Sequence, residues 1–276
     1  KEAWLLATTR IITAVSGGIL LWQGGGVLGL ALTGWMAVAA LTAVSFWQLQ
    51  RAGWLTGWQR IAGNQTAYRA LMQQAFPLGI AIFMSIAYTR LAVLMLQQMM
   101  GETAVAQYSA AMRLVEPTQI LPASLLAAVF PVISLAWYKD RPHAVQLGRR
   151  VSGLLAFFGT AIAIVYLLVA NWLIPFLYGE AYTTAVSVFQ ILALSIIPSY
   201  INYSLTHYLI ARKQQAYIGW FNGFVLAAHA LLCWLLIPRL GVIGPALSVV
   251  IAESFLMMTC LFVLRFRTDN TSQNYD

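Results

Sequence analysis

Apolar residues in this chain run in stretches too long for a soluble helix or strand, and short polar connections break them. Residues 11–50, 151–179, 181–211 and 214–238 contain no Asp, Glu, Lys or Arg, and a helix that crosses hydrocarbon needs about 20 such residues. Read at that length, the pattern predicts about eight spans, at 4–22, 27–47, 76–99, 103–136, 151–172, 184–210, 217–237 and 242–264. Gly24, Gly25 and Gly26 separate the first two as a tight turn would, because glycine tolerates the positive φ such a turn needs. The longest polar connector holds Arg51, Arg60 and Arg69 among Gly53, Gly57 and Gly63. The predicted fold is therefore all-α, a polytopic transmembrane helical bundle. It divides into helices at 1–48, a connector at 49–69, a six-helix lobe at 70–267 and a polar tail at 268–276.

Composition agrees with this reading. The chain is 61% hydrophobic and 9% charged, where soluble domains carry about 25% charged residues. The formal charge of +8 is spread over short loops instead of forming a groove or tail, which argues against nucleic acid and for topology signals. Threading the spans back and forth puts Lys1, Arg51, Arg60, Arg69, Lys139, Arg141, Arg149, Arg150, Arg212, Lys213, Arg265 and Arg267 on one side, and Arg239 alone on the other. The positive-inside rule makes the crowded side cytoplasmic and places both ends there. Trp4, Trp22, Trp47, Trp137 and Trp172 fall near span ends, as interfacial anchors do. The chain opens on Lys1 without a signal-peptide pattern, so it is expected to begin partway through a longer protein.

Charges inside the spans are the exception that calls for a reason. A charge at mid-bilayer costs about 2.5 to 3.5 kcal/mol on insertion scales. At 1.5 Å of rise per residue, Arg90, Arg113, Glu253, Arg10, Glu116 and His229 all lie roughly 12 to 20 Å below the outer surface. They come from five spans and read as one cavity-lining layer. Three arginines against two glutamates favour an anionic ligand, and a guanidinium suits phosphate because it donates bidentately. Arg113, Arg90 and Arg10 are the substrate-binding candidates. Glu116, Glu253 and His229 are candidates for proton or ion coupling. A structural alternative pairs Arg113 with Glu116 across one helix face, at i and i+3. The predicted span at 103–136 also carries Pro117, Pro122 and Pro131. It is expected to kink there, with a wet cavity supplying the carbonyls that lose their donors.

No enzyme constellation is present: no paired-Cys metal spacing, no GxSxG elbow and no phosphate-cradling Gly-rich loop. The reading is a non-enzyme without cofactor or metal. Cys233 and Cys260 both fall inside predicted spans, as buried small hydrophobes do.

Three segments carry a family resemblance: residues 77–134; FLYGEAYTTAVSVFQILALSIIPSYIN at 176–202; and IPRLGVIGPALSVVIAES at 237–254, where Gly241, Gly244 and Ala246 open the last span. Together they resemble bacterial polysaccharide-export flippases, in particular the O-antigen (Wzx-type) flippases of the MATE-like exporter superfamily. The resemblance implies two six-helix lobes, of which this chain holds the last two helices of the first and all of the second, with about four N-terminal helices missing. It implies alternating-access transport of an undecaprenyl-pyrophosphate-linked oligosaccharide across the bacterial inner membrane, with Arg113 as the cavity arginine best carried over. Membrane lipid and polysaccharide polymerase or chain-length proteins are the implied partners. An ion-coupled drug or organic-ion exporter of the same superfamily, a membrane-embedded glycan polymerase or ligase, and a purely structural scaffold are the competing readings.

Overall fold

A computed structural model of the chain describes residues 2–53, 65–212 and 215–266. The middle of the connector and the polar tail lie outside the described residues. Among those described there are α-helices and short 3₁₀ turns and no strand. In order they are α1 (Glu2–Trp22), α2 (Gly26–Arg51), α3 (Gln65–Met100), α4 (Glu102–Val115), a 3₁₀ turn (Glu116–Gln119), α5 (Ile120–Lys139), α6 (Arg141–Tyr178), a second 3₁₀ turn (Glu180–Tyr182), α7 (Thr183–Ala211), α8 (Gln215–Leu240) and α9 (Ile243–Phe266). The all-α polytopic bundle expected from hydropathy is what forms.

Six stretches among the described residues are long and apolar enough to cross a membrane: 31–51, 102–139, 141–178, 180–211, 219–240 and 243–264. The first predicted span is represented by a shorter apolar stretch, 11–22. The third lies within α3, a 36-residue helix that begins well before the predicted start.

The chain forms two compact units, Lys1–Phe76 and Pro77–Asp276. In the first, α1 and α2 make the predicted hairpin. Gly24 has φ +84° and Gly26 has φ +57°, and the Gly25 amide closes the turn on the Leu20 carbonyl at 2.8 Å.

In the second unit α7 is the hub. It has no charged residue between Thr183 and Ala211, so no side of it needs water, and it packs against α4, α5, α6, α8 and α9. Its widest interface is with α6. There α6 presents small residues, Ala144, Gly148, Gly159, Ala163 and Ala170, all buried. A Cβ on Gly148 would lie 3.1 Å from the Tyr208 ring, and one on Gly159 would lie 3.2 Å from Tyr200. The small stripe lets two bulky tyrosines of α7 sit close to the α6 backbone.

The predicted kink occurs at the Glu116–Gln119 turn, where the predicted fourth span divides into α4 and α5. The partners of its carbonyls differ from the expectation. Pro122 has no N–H for the Thr118 carbonyl four residues back, and the Tyr200 hydroxyl donates to that carbonyl at 2.6 Å. The Tyr166 hydroxyl donates to the Leu114 carbonyl at 3.1 Å. Protein hydroxyls from α6 and α7 therefore do the work expected of cavity water. Gln107 on α4 bonds the start of α7 in a similar way, donating to the Ala181 carbonyl at 2.7 Å and accepting from the Ala185 amide at 3.0 Å.

Tyr200 is buried, so Tyr200→Phe leaves the Thr118 carbonyl without its donor in an apolar surround. The expected loss is about 1 to 2 kcal/mol. It is read as a lowered Tm of the detergent-solubilised protein by circular dichroism, and an unchanged Tm would show that the kink does not depend on this bond.

Candidate functional site

Among the described residues of the second unit, polar groups from four α-helices and the Glu116–Gln119 turn converge on a cavity. Its volume is about 540 Å³. Ser85, Tyr88 and Thr89 come from α3, Glu116 and Gln119 from the kink, Ser195, Ser199, Asn202 and Thr206 from α7, Asn222 from α8 and Glu253 from α9. The kink brings Glu116 to the wall, and the polar stripe on α7 does the same for Ser195, Ser199, Asn202 and Thr206, which follow one another at i+3 or i+4.

Glu253 is held in place. Tyr88 Oη donates to its Oε1 at 3.1 Å, and Asn202 Nδ2 donates to its Oε2 at 2.8 Å. The same Nδ2 donates to the Glu253 main-chain carbonyl at 2.8 Å. Asn202 is 4% exposed, and its Oδ1 is buried without a partner. Several hydroxyls of the lining spend their hydrogens on their own helices: Ser195 on the Leu192 carbonyl, Thr206 on the Asn202 carbonyl and Thr89 on the Ile86 carbonyl. Oxygens that accept are thereby left facing the space, together with the carboxylates of Glu116 and Glu253. The lining is rich in acceptors and contains no Lys, Arg or His. Such a cavity suits donors: a proton, a cation, or a hydroxyl-rich molecule.

The structure thus separates the polar layer read from the sequence. Glu116 and Glu253 share the cavity. Arg90 and Arg113 do not line it, and both side chains are exposed. The Arg10 side chain lies outside the described residues. His229 is fully buried behind the cavity wall, its ring 4.8 Å from that of Tyr88. Its Nδ1 lies 2.9 Å from Ser248 Oγ, which donates to the Pro245 carbonyl at 2.8 Å. Cys233 Sγ sits 3.1 Å from the same Ser248 oxygen. Helix counting along one axis registers depth but not azimuth, so residues at one depth need not face one space.

Sequence reading missed Asn202, Tyr88 and Tyr200. A signal existed for Asn202, an amide inside a run of 31 residues, 181–211, that contains no charge. Tyr88 and Tyr200 carry none, because tyrosines in apolar helices are too common to single out. Cys233 and Cys260 are free and buried.

A bundle of membrane-length helices around a polar cavity defines a multi-pass membrane protein. The family of polysaccharide biosynthesis proteins matches the chain over residues 4–187, and the chain belongs to that family. No curated protein and no solved structure matches it. Asn202, His229 and Glu253 lie beyond the matched residues.

The two carboxylates differ in their surroundings, and their removal should differ accordingly. Glu253→Ala leaves the Tyr88 hydroxyl without its acceptor and strips Asn202 Nδ2 of its carboxylate partner, keeping only the main-chain carbonyl, at a cost of about 1 to 3 kcal/mol. Glu116→Ala removes an exposed side chain and should change stability by less than about 0.5 kcal/mol. Thermal denaturation of both variants in the same detergent checks the contrast, and equal losses would mean that Glu253 is not held as described.

Proposed function

We propose that the protein moves an undecaprenyl-pyrophosphate-linked oligosaccharide across the bacterial inner membrane, as a transporter and not an enzyme. The observation that carries this reading is membership of the polysaccharide biosynthesis family in a multi-pass bundle. A lipid-linked sugar made on one side of a membrane must cross it before polymerisation on the other, and its pyrophosphate cannot enter hydrocarbon unaided.

The arrangement supports a division of labour. Exposed guanidiniums at Arg113 and Arg90 are free to receive pyrophosphate oxygens, with Arg10 as a third candidate. The acceptor-rich cavity with Glu116 and Glu253 takes up the coupling proton or cation. His229 serves the coupling by positioning Tyr88, whose hydroxyl holds Glu253. In this reading the positive-inside rule puts both ends of the chain in the cytoplasm, and the connector around 49–69 is the hinge between lobes, so that their rocking exposes the site to either side in turn. Polymerase and chain-length proteins would take the product.

One observation favours a second reading. The cavity has two carboxylates and no basic side chain, which suits an organic cation, as in an ion-coupled drug exporter.

The whole protein is expressed in a host that lacks its own flippase, at matched membrane levels, and surface polysaccharide is scored. We expect Arg113→Ala to lose tenfold or more, roughly the 1.4 kcal/mol of one charge-assisted contact. Arg113→Lys recovers part of that loss, and Arg90→Ala shows an intermediate one. Full activity in all three variants would remove the pyrophosphate role. Failure of the wild type to restore glycan while it exports a cationic dye would select the second reading.

A further inference from the structure

A second group of polar side chains lies at the end of the bundle where α5 stops, α6 starts and α7 stops. Among the described residues, Lys139, Arg141, Arg149, Arg150 and Arg212 bring five positive charges to the ends of these three helices, where Asp140 is the one carboxylate. Asp140 is already engaged, since its Oδ1 caps α6 by accepting from the His143 amide at 3.1 Å. From the sequence these residues read only as topology signals.

Arg212 does not behave as a topology signal. It is 8% exposed, and its Nε is buried without a hydrogen-bond partner. The guanidinium lies over the Trp137 ring, 4.9 Å from the centroid, and 5.9 Å from that of Tyr208. Burial pulls its pKa below the ordinary arginine value, and the charge of Arg141 pulls it the same way. Arg141 lies 5.8 Å from the same Trp137 centroid. Two guanidiniums therefore share one indole and repel each other across it. Arg141 is also at the first position of α6, where the helix macrodipole disfavours a cation. A cation–π contact offsets only part of what burying an unpaired charge costs. An anion between the two guanidiniums would resolve the repulsion, the dipole conflict and the unpaired charge together.

We propose that Arg212, Arg141 and Trp137 form a binding site for the phosphate of an anionic phospholipid headgroup. The lipid source follows from the surroundings. The site sits at the end of membrane-length helices, on the side that the positive-inside rule assigns to the cytoplasm, where anionic headgroups meet basic pockets between helices. One turn toward the middle of the bundle, α5 exposes Val132 and Leu135, a surface for the acyl chain of the same lipid. Gly148 lets Tyr208 pack tightly on α6, since a Cβ there would lie 3.1 Å from the Tyr208 ring. The site shares no residue with the cavity around Glu253, so it stands independently of the transport reading.

The test uses the whole protein, purified in a neutral detergent and delipidated, with Tm followed by intrinsic fluorescence. Phosphatidylglycerol should raise Tm by roughly 5 °C at saturation, while phosphatidylcholine and inorganic phosphate at matched ionic strength should not. Arg141→Gln alters an exposed side chain and relieves the repulsion and the dipole conflict, so it should leave the lipid-free Tm no lower while cutting the phosphatidylglycerol shift to less than half. Arg212→Gln should abolish the shift, and Arg212→Lys should keep part of it. If Arg212→Gln does not fold, Arg141→Gln carries the test. A full shift in Arg141→Gln, or an equal shift with phosphatidylcholine, would overturn the proposal. An equal shift with inorganic phosphate, lost in the same variants, would overturn the lipid assignment in favour of a soluble anion.

Discussion

Hydrocarbon offers a backbone carbonyl no hydrogen bond, and the second unit is arranged around that fact. The proline-bearing helix breaks its own ladder at Glu116–Gln119, and Tyr200 and Tyr166 supply donors there to the Thr118 and Leu114 carbonyls. Those tyrosines are in range because α6 and α7 pack closely, and the small stripe from Ala144 to Ala170 permits that approach. The kink in turn places Glu116 on the cavity wall. Small residues on one helix thus have a consequence two helices away.

The same economy explains the cavity's character. Hydroxyls in apolar helices return their hydrogens to the preceding turn, as Ser195, Thr206 and Thr89 do, and so present only oxygen lone pairs to the space. With Asn202 Oδ1 unpartnered and Glu253 held by Tyr88 and Asn202, acceptors predominate in the space. The bundle's basic side chains lie elsewhere: Arg90 and Arg113 on exposed surface, and Arg212 with Arg141 around Trp137 at one end. No Lys, Arg or His is among the described residues that line the cavity with the two carboxylates.

Glycine marks the turns for a reason visible in the last hairpin. Gly241 has φ +61° between α8 and α9. A Cβ on Gly244 would come within 2.7 Å of the Leu236 backbone, closer than side chains tolerate. The two glycines that open the last predicted span are therefore there for backbone conformation and close approach, and Ala246 is fully buried.

Hydropathy, charge spacing and glycine position are local properties, so the sequence by itself determined the helical class, most of the spans, the α1–α2 hairpin and the kink near Pro117. It also located both cavity carboxylates. What it could not determine was which polar groups meet. Tyr88 and Glu253 are 165 residues apart along the chain, and their contact depends on how four helices are rotated about their axes, which depth counting does not register. For the same reason His229 turned inward while Arg90 and Arg113 turned outward from the same layer. Arg212 looked like one more loop charge, and only the packing of α5, α6 and α7 buried it against Trp137. Azimuth is set by side-chain interlock between helices distant in sequence, and that is where tertiary structure alone decided.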